Sequence, residues 1–160
     1  DWVKFQGATI WESKNLADIN TLGVDLSSGY RFDNDGMLKR ISLSYSFLNS
    51  DKEAVDFDSK YALDYLKHKI TLKIDHQIVK NLSMGWLLSY NDRAGNYSDF
   101  KTGQLTNYQP YLMSDAKLLW KLSKFELTGS INNLLNVKYA DYGGLEQPGI
   151  NFNAGIRLLL

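Results

Sequence analysis

Apolar and polar residues alternate with a period of two through nearly the whole chain, and this constrains the fold more than any other feature. The segment Arg40-Ile41-Ser42-Leu43-Ser44-Tyr45-Ser46-Phe47 sets Ile, Leu, Tyr and Phe on one face against Arg and three Ser on the other. Residues 66–75 repeat the pattern with Lys67, Lys69, Thr71, Lys73 and Asp75 on the polar side. Leu82, Met84, Trp86, Leu88 and Tyr90 alternate in the same way, as do Phe152, Ala154, Ile156, Leu158 and Leu160. Successive side chains of a strand point to opposite faces, whereas the 3.6-residue helical period would scatter both sets around a cylinder. An all-β fold is expected.

Run length narrows the class. No strong breaker interrupts residues 18–32 or 61–78. Strands of water-soluble globular domains usually run about 5–6 residues, and a strand crossing the hydrocarbon of a bilayer needs roughly 9–11. Only 2 of the 160 residues are proline, and aromatics reach 13% with 10 Tyr and 4 Trp. Sandwiches of short strands carry more Pro and Gly at their turns. No run of about 18 apolar residues occurs, so no membrane-crossing helix is expected. That test is blind to membrane barrels, in which only every second residue faces lipid.

The connections alternate in length. Asp33-Asn34-Asp35-Gly36, Lys80-Asn81 and Ser123-Lys124 are short, and the first carries the Asn and Gly that suit a tight hairpin. Residues 50–59, 91–108 and 141–148 form longer polar connections. Outer-membrane barrels place short turns on the periplasmic side and long loops outside. About eight strands are expected, near residues 1–12, 15–32, 38–49, 60–79, 82–91, 109–122, 125–142 and 150–160, as one antiparallel meander over residues 1–160. Tyr30, Phe32, Trp86, Tyr90, Trp120 and Phe125 are read as interface aromatics near strand ends. The polar face carries Asp25, Arg31, Arg40, Lys67, Lys69, Lys73, Asp75, Asp115, Lys117, Lys121, Glu126 and Arg157. So many charges suit a wet lumen or a polar plug better than a dry core.

Other classes are disfavoured. Lys+Arg and Asp+Glu are equal at 18 each, which gives no electrostatic footprint for nucleic acid. With no cysteine there is no disulfide framework, zinc-thiolate site or thiol nucleophile. His68 and His76 stand far apart on or near the apolar face, without an acid–base partner set, so no metal site is assigned to them. Asp51, Glu53, Asp56 and Asp58 match no EF-hand spacing and read as a solvated loop. No P-loop, Gly-x-Ser-x-Gly or dinucleotide fingerprint occurs, so no enzyme activity and no cofactor are expected. The opening Asp1-Trp2-Val3-Lys4 has no signal-peptide features, which fits a processed chain or a piece of a longer one.

The stretch Ser130-Ile131-Asn132-Asn133-Leu134-Leu135-Asn136-Val137-Lys138-Tyr139, then Gly143-Gly144, Gln147-Pro148-Gly149 and Asn151-Phe152-Asn153-Ala154-Gly155-Ile156, resembles the closing hairpin of TonB-dependent outer-membrane receptors. Asp1-Trp2-Val3, Trp11 and Asn20-Thr21-Leu22-Gly23-Val24-Asp25 are similar to a segment of the vitamin B12 and siderophore groups of that family. The signature positions are Asn132, Asn133, Leu134, Asn136, Tyr139, Pro148, Gly149, Phe152 and Gly155. Two positions depart from the pattern: Leu160 stands where a terminal aromatic is usual, and Ile150 follows Gly149 where many members carry Arg.

The resemblance implies a bacterial outer-membrane location and a 22-strand barrel around a plug. This chain would be the C-terminal third of the barrel, with the plug outside the sequence. It implies as partners the bilayer, the remaining strands and plug, TonB acting through that plug, and a small nutrient such as a cobalamin or iron chelate. Tyr97, Tyr108 and Tyr142 on the long connections are the expected ligand contacts. The alternative is a complete eight-stranded outer-membrane barrel with an adhesin or anchoring role. Asn133, polar where an outward apolar residue belongs, is expected to mark a bulge or a turn-side hydrogen bond.

Overall fold

The computed structural model describes residues 2–5, 7–14, 20–33, 36–51, 57–59 and 65–159. Within them the chain is all-β. The strands are β1 (Trp2–Phe5), β2 (Glu12–Ser13), β3 (Asn20–Arg31), β4 (Leu38–Asp51), β5 (Phe57–Ser59), β6 (Leu66–Val79), β7 (Leu82–Arg93), β8 (Asn96–Ser98), β9 (Leu105–Asn107), β10 (Tyr111–Lys121), β11 (Phe125–Asn132), β12 (Ala140–Asp141), β13 (Leu145–Glu146) and β14 (Asn151–Leu158). A single 3-10 turn, Tyr142–Gly144, separates β12 from β13.

Seven strands form one antiparallel sheet in the order β14-β11-β10-β7-β6-β4-β3. Each neighbour in space is the next long strand in sequence, which is the expected meander. The long strands are those in which alternation runs unbroken: β4 and β6 have 14 residues, β3 and β7 have 12. Register then sorts the faces, because a pairing slip of one residue would turn every side chain over. Tyr30, Ile41, Ile74, Trp86, Ala116, Ile131 and Phe152 make one row across all seven strands. The next row, on the opposite face, is Arg31, Arg40, Asp75, Gly85, Lys117, Ser130 and Asn153.

Among the described residues the apolar face lies open. On the apolar face Leu26 is 62% exposed, Phe152 68% and Ile156 70%, with Leu22, Leu43, Ile70, Leu112, Leu118, Trp120, Phe125 and Leu158 also exposed. At roughly 60–100 Å² each, these side chains make a patch on the order of 1,000 Å², against about 300–600 Å² for the largest patch of a typical soluble monomer. Among the described residues the buried apolar ones are Val3, Tyr108 and Ala116.

The ladder is also slanted. The row that starts at Arg31, the last residue of β3, meets β14 at Asn153, five residues short of its end at Leu158. Each strand has therefore slid along its neighbour by a little under one residue.

Three short connections (32–37, 80–81 and 122–124) lie at one end of the sheet, and three long ones (52–65, 94–110 and 133–150) lie at the other. At the 80–81 turn, Gln77 Nε2 donates to the carbonyls of Val79 (2.6 Å) and Lys80 (3.1 Å), beside a bulge between Gln77 and Val79. Asn34 and Asp35 of the first predicted turn, and residues 52–56 of the acidic loop, lie outside the described residues.

The structure corrects two boundaries. Residues 1–12, expected as the first long strand, give only the short β1 and β2. Gly7 takes a φ of 83° and the Ala8 amide donates to the Phe5 carbonyl at 2.9 Å, which folds β2 back on β1. Together with β5 they make a separate three-stranded sheet, so the main ladder has seven strands rather than eight. The strand expected over 125–142 ends at Asn132, because Asn133 and Asn136 take φ values of 53° and 50°, which a strand cannot hold. Trp86, read as an interface residue, sits mid-strand opposite Ile74 and Ala116.

Candidate functional site

At the end of the sheet with the long connections, two hairpins lean on one another. The β7–β10 connection carries β8 and β9, which pair Asn96 with Asn107, Tyr97 with Thr106 and Ser98 with Leu105. Asp99 builds the tip of this hairpin: its Oδ1 accepts from the amides of Lys101 (2.7 Å) and Thr102 (3.0 Å). Those amides of Thr102 and Lys101 hold the carboxyl below its ordinary pKa. The β11–β14 connection carries β12, the 3-10 turn and β13.

Polar and aromatic contacts lock the hairpins together. Arg93, at the end of β7, reaches Asp141 of β12 with NH2 at 2.5 Å from Oδ1, and its guanidinium lies 5.6 Å from the Tyr108 ring centre. The Tyr108 hydroxyl donates to the Asp141 carbonyl at 3.3 Å. Tyr97 and Tyr108 pack with ring centres 4.9 Å apart, and Tyr111 stacks on Tyr139 at 4.3 Å. Burial, then the carboxylates of Asp141 and Asp115, push the Tyr139 phenol above its ordinary pKa. A cleft of about 410 Å³ opens between the upper end of β10 and residues 135–140, walled by Tyr97, Tyr108, Tyr111, Leu112 and Tyr139. A second cleft of about 350 Å³ shares Tyr97, Lys138, Tyr139 and Ala140 with it. These volumes suit a small ligand held mainly by apolar and aromatic surface.

The three ligand tyrosines named from the sequence are placed differently. Tyr97 walls both clefts. Tyr108 is only 7% exposed and packs beneath Tyr97. Tyr142 opens the 3-10 turn, and its side chain lies outside the described residues. Arg93, Tyr111 and Asp141 were missed as members of the same cluster. The spacing of the sequence gives no hint that residues 48 apart would meet; only a charged Arg closing an alternating strand could have drawn notice.

The positions expected to form a closing hairpin lie in β11, β14 and their connection, where side-chain hydrogen bonds hold the turn. Asn133 is 3% exposed, and its amide donates to Asp115 Oδ1 at 2.8 Å. Its side chain accepts from the Val137 amide (2.9 Å) and donates to the carbonyls of Val137 (2.9 Å) and Pro148 (3.3 Å). Leu134 continues the ladder, its amide donating to the Ser114 carbonyl at 2.7 Å. Asn136 Oδ1 accepts from the Ile150 amide at 3.1 Å, and a Cβ on Gly149 would come within 2.4 Å of that oxygen. Asn132 Nδ2 donates to Asn151 Oδ1 at 2.8 Å. A Cβ on Gly155 would meet Thr128 Oγ1 at 2.8 Å, while Phe152 stands exposed on the apolar face. The turn-side hydrogen bond expected at Asn133 is present.

Gly144 is a sharper probe of the lock. Its φ is 75°, and a Cβ there would overlap the Tyr97 ring at 2.1 Å. Gly144→Ala is expected to part the hairpins, with faster amide exchange across residues 96–107 and little change in β4 or β6. Unchanged exchange across 96–107 would show that Tyr97 yields without cost.

No protein-family description, curated protein or solved structure matches this chain.

Proposed function

We propose that this chain is a wall segment of an outer-membrane β-barrel of the TonB-dependent receptor type, with the long-connection rim contributing to capture of a cobalamin or iron-chelate class of nutrient. The observation that carries the reading is the exposed apolar face, continuous over seven strands and backed by a face of charges, Ser and Gly. Water on one side and hydrocarbon on the other is the environment in which both faces are satisfied. Segregation of short and long connections to opposite ends supports an orientation with the tyrosine clefts outward. Among the described residues the edge strands β3 and β14 lie at opposite ends of the strand order and do not pair. This favours a segment of a larger wall over the eight-stranded adhesin-like alternative.

The absence of native cysteine makes single-cysteine labelling direct. Spin labels at Ile70→Cys and Leu118→Cys in a reconstituted bilayer are expected to be reached by oxygen rather than by a water-soluble nickel chelate. Labels at Lys69→Cys and Lys117→Cys are expected to show the reverse. Equal nickel access at all four sites would remove the bilayer from the reading. For the receptor role, energised cells bearing the protein are expected to accumulate labelled cyanocobalamin or a ferric chelate, and accumulation of neither counts against nutrient uptake.

A further inference from the structure

We propose that the short-turn rim of the sheet binds anionic phospholipid headgroups, with Lys80 and Lys124 as the phosphate-contacting cations; this rests on the bilayer reading of the apolar face. The two lysines project from neighbouring turns, 80–81 and 122–124, which are tied together where the Lys121 amide donates to the Asn81 carbonyl at 2.8 Å. Both are exposed, and among the described residues neither makes an ion pair. The nearby carboxylate of Glu126 is engaged by Arg157 at 3.3 Å.

Directly next to these amines in the ladder stands exposed apolar surface: Val79, Trp120, Phe125 and Leu158. Trp120 pairs with Leu82 and Leu127, and Phe125 with Leu158, so the surface continues into the apolar face. An indole and a phenyl ring at the strand ends, next in the chain to lysines of the turns, match a headgroup boundary, where rings sit at the interface and long cationic side chains reach outward to phosphate.

The opposite end of the sheet lacks this bias. There Arg93 and Lys101 are matched by Asp141 and Glu146, and Lys67 and Lys138 are offset in number by Asp92 and Asp99. At the short-turn end Arg31, Arg40, Lys80, Lys121, Lys124 and Arg157 outnumber Asp33, Asp75 and Glu126 among the described residues. Each cation near an anionic surface contributes on the order of 1 kcal/mol, and the contribution fades within a Debye length. Charge therefore selects for anionic lipid at one rim of the sheet and not at the other.

Trp120 is the reporter. In a protein carrying Trp2→Phe, Trp11→Phe and Trp86→Phe, its fluorescence is measured in vesicles with brominated phosphatidylglycerol or brominated phosphatidylcholine. The phosphatidylglycerol is expected to quench at least twofold more, and the difference is expected to vanish in Lys80→Gln/Lys124→Gln. High salt is expected to erase the preference in the unsubstituted rim, which tests the charge without altering the fold. Equal quenching by the two lipids overturns the headgroup proposal and leaves the bilayer reading standing. A preference that survives both the double substitution and high salt overturns it as well. Quenching by neither lipid removes the bilayer reading and this proposal with it.

Discussion

Asn133→Leu is expected to lower the unfolding free energy by roughly 4–5 kcal/mol. The side chain makes three hydrogen bonds with Val137 and Pro148 in a site only 3% exposed, where water cannot replace them. Each such bond contributes about 1 kcal/mol net, and a branched residue held at a φ of 53° costs roughly 1–2 kcal/mol more. Asn133→Gly separates the two causes. It keeps the conformation and loses the bonds, so it is expected to cost roughly 3 kcal/mol. The measurement is the urea midpoint of the reconstituted protein by tryptophan fluorescence. If leucine and glycine prove equally damaging, backbone conformation has no part in the effect.

Asp141→Ala is the second large effect. The Arg93 side chain is 5% exposed while that of Asp141 is 37% exposed, so the pair is buried at one end and wetted at the other. Breaking a fully buried pair costs about 3–5 kcal/mol; screening at the Asp141 end reduces the expectation here to roughly 2–3 kcal/mol. The loss is expected to be local. The Tyr108 hydroxyl bonds the Asp141 backbone, and both hairpins hang on that contact. Protease cleavage within residues 94–110 and 133–150 should therefore accelerate before global unfolding does. Arg93→Met/Asp141→Leu, which removes both charges, is expected to restore most of the protection. A double variant as labile as the single one would mean that packing against Tyr108, rather than charge, holds the rim.

The sheet was readable from sequence because alternation is a local property. Leu43, Tyr45 and Phe47 declare their face whatever strand lies beside them, and the register places them where that reading put them. Strand ends were less readable. Residues 125–142 keep a good apolar pattern past Asn132, and only the left-handed conformation of Asn133 and Asn136 stops the strand. At the other end of the chain, a single Gly7 turn undoes an otherwise acceptable strand. The rim was hardly readable at all. Tyr97 and Tyr108 were found because tyrosine on a long polar connection is conspicuous. Arg93, Tyr111, Tyr139 and Asp141 come together only through the packing of two hairpins, and no periodicity encodes that.

The slide of each strand along its neighbour has a consequence for size. A step of about one residue, 3.3 Å, against an interstrand spacing of about 4.8 Å leans the strands by roughly 35° from the axis of any cylinder the sheet joins. A 12-residue strand such as β3 is about 40 Å long, and at that lean it stands about 32 Å tall. The thickness of a bilayer's hydrocarbon is about 30 Å. Register, which looks like a detail of which residue faces which, thus fixes how tall the sheet would stand in such a cylinder.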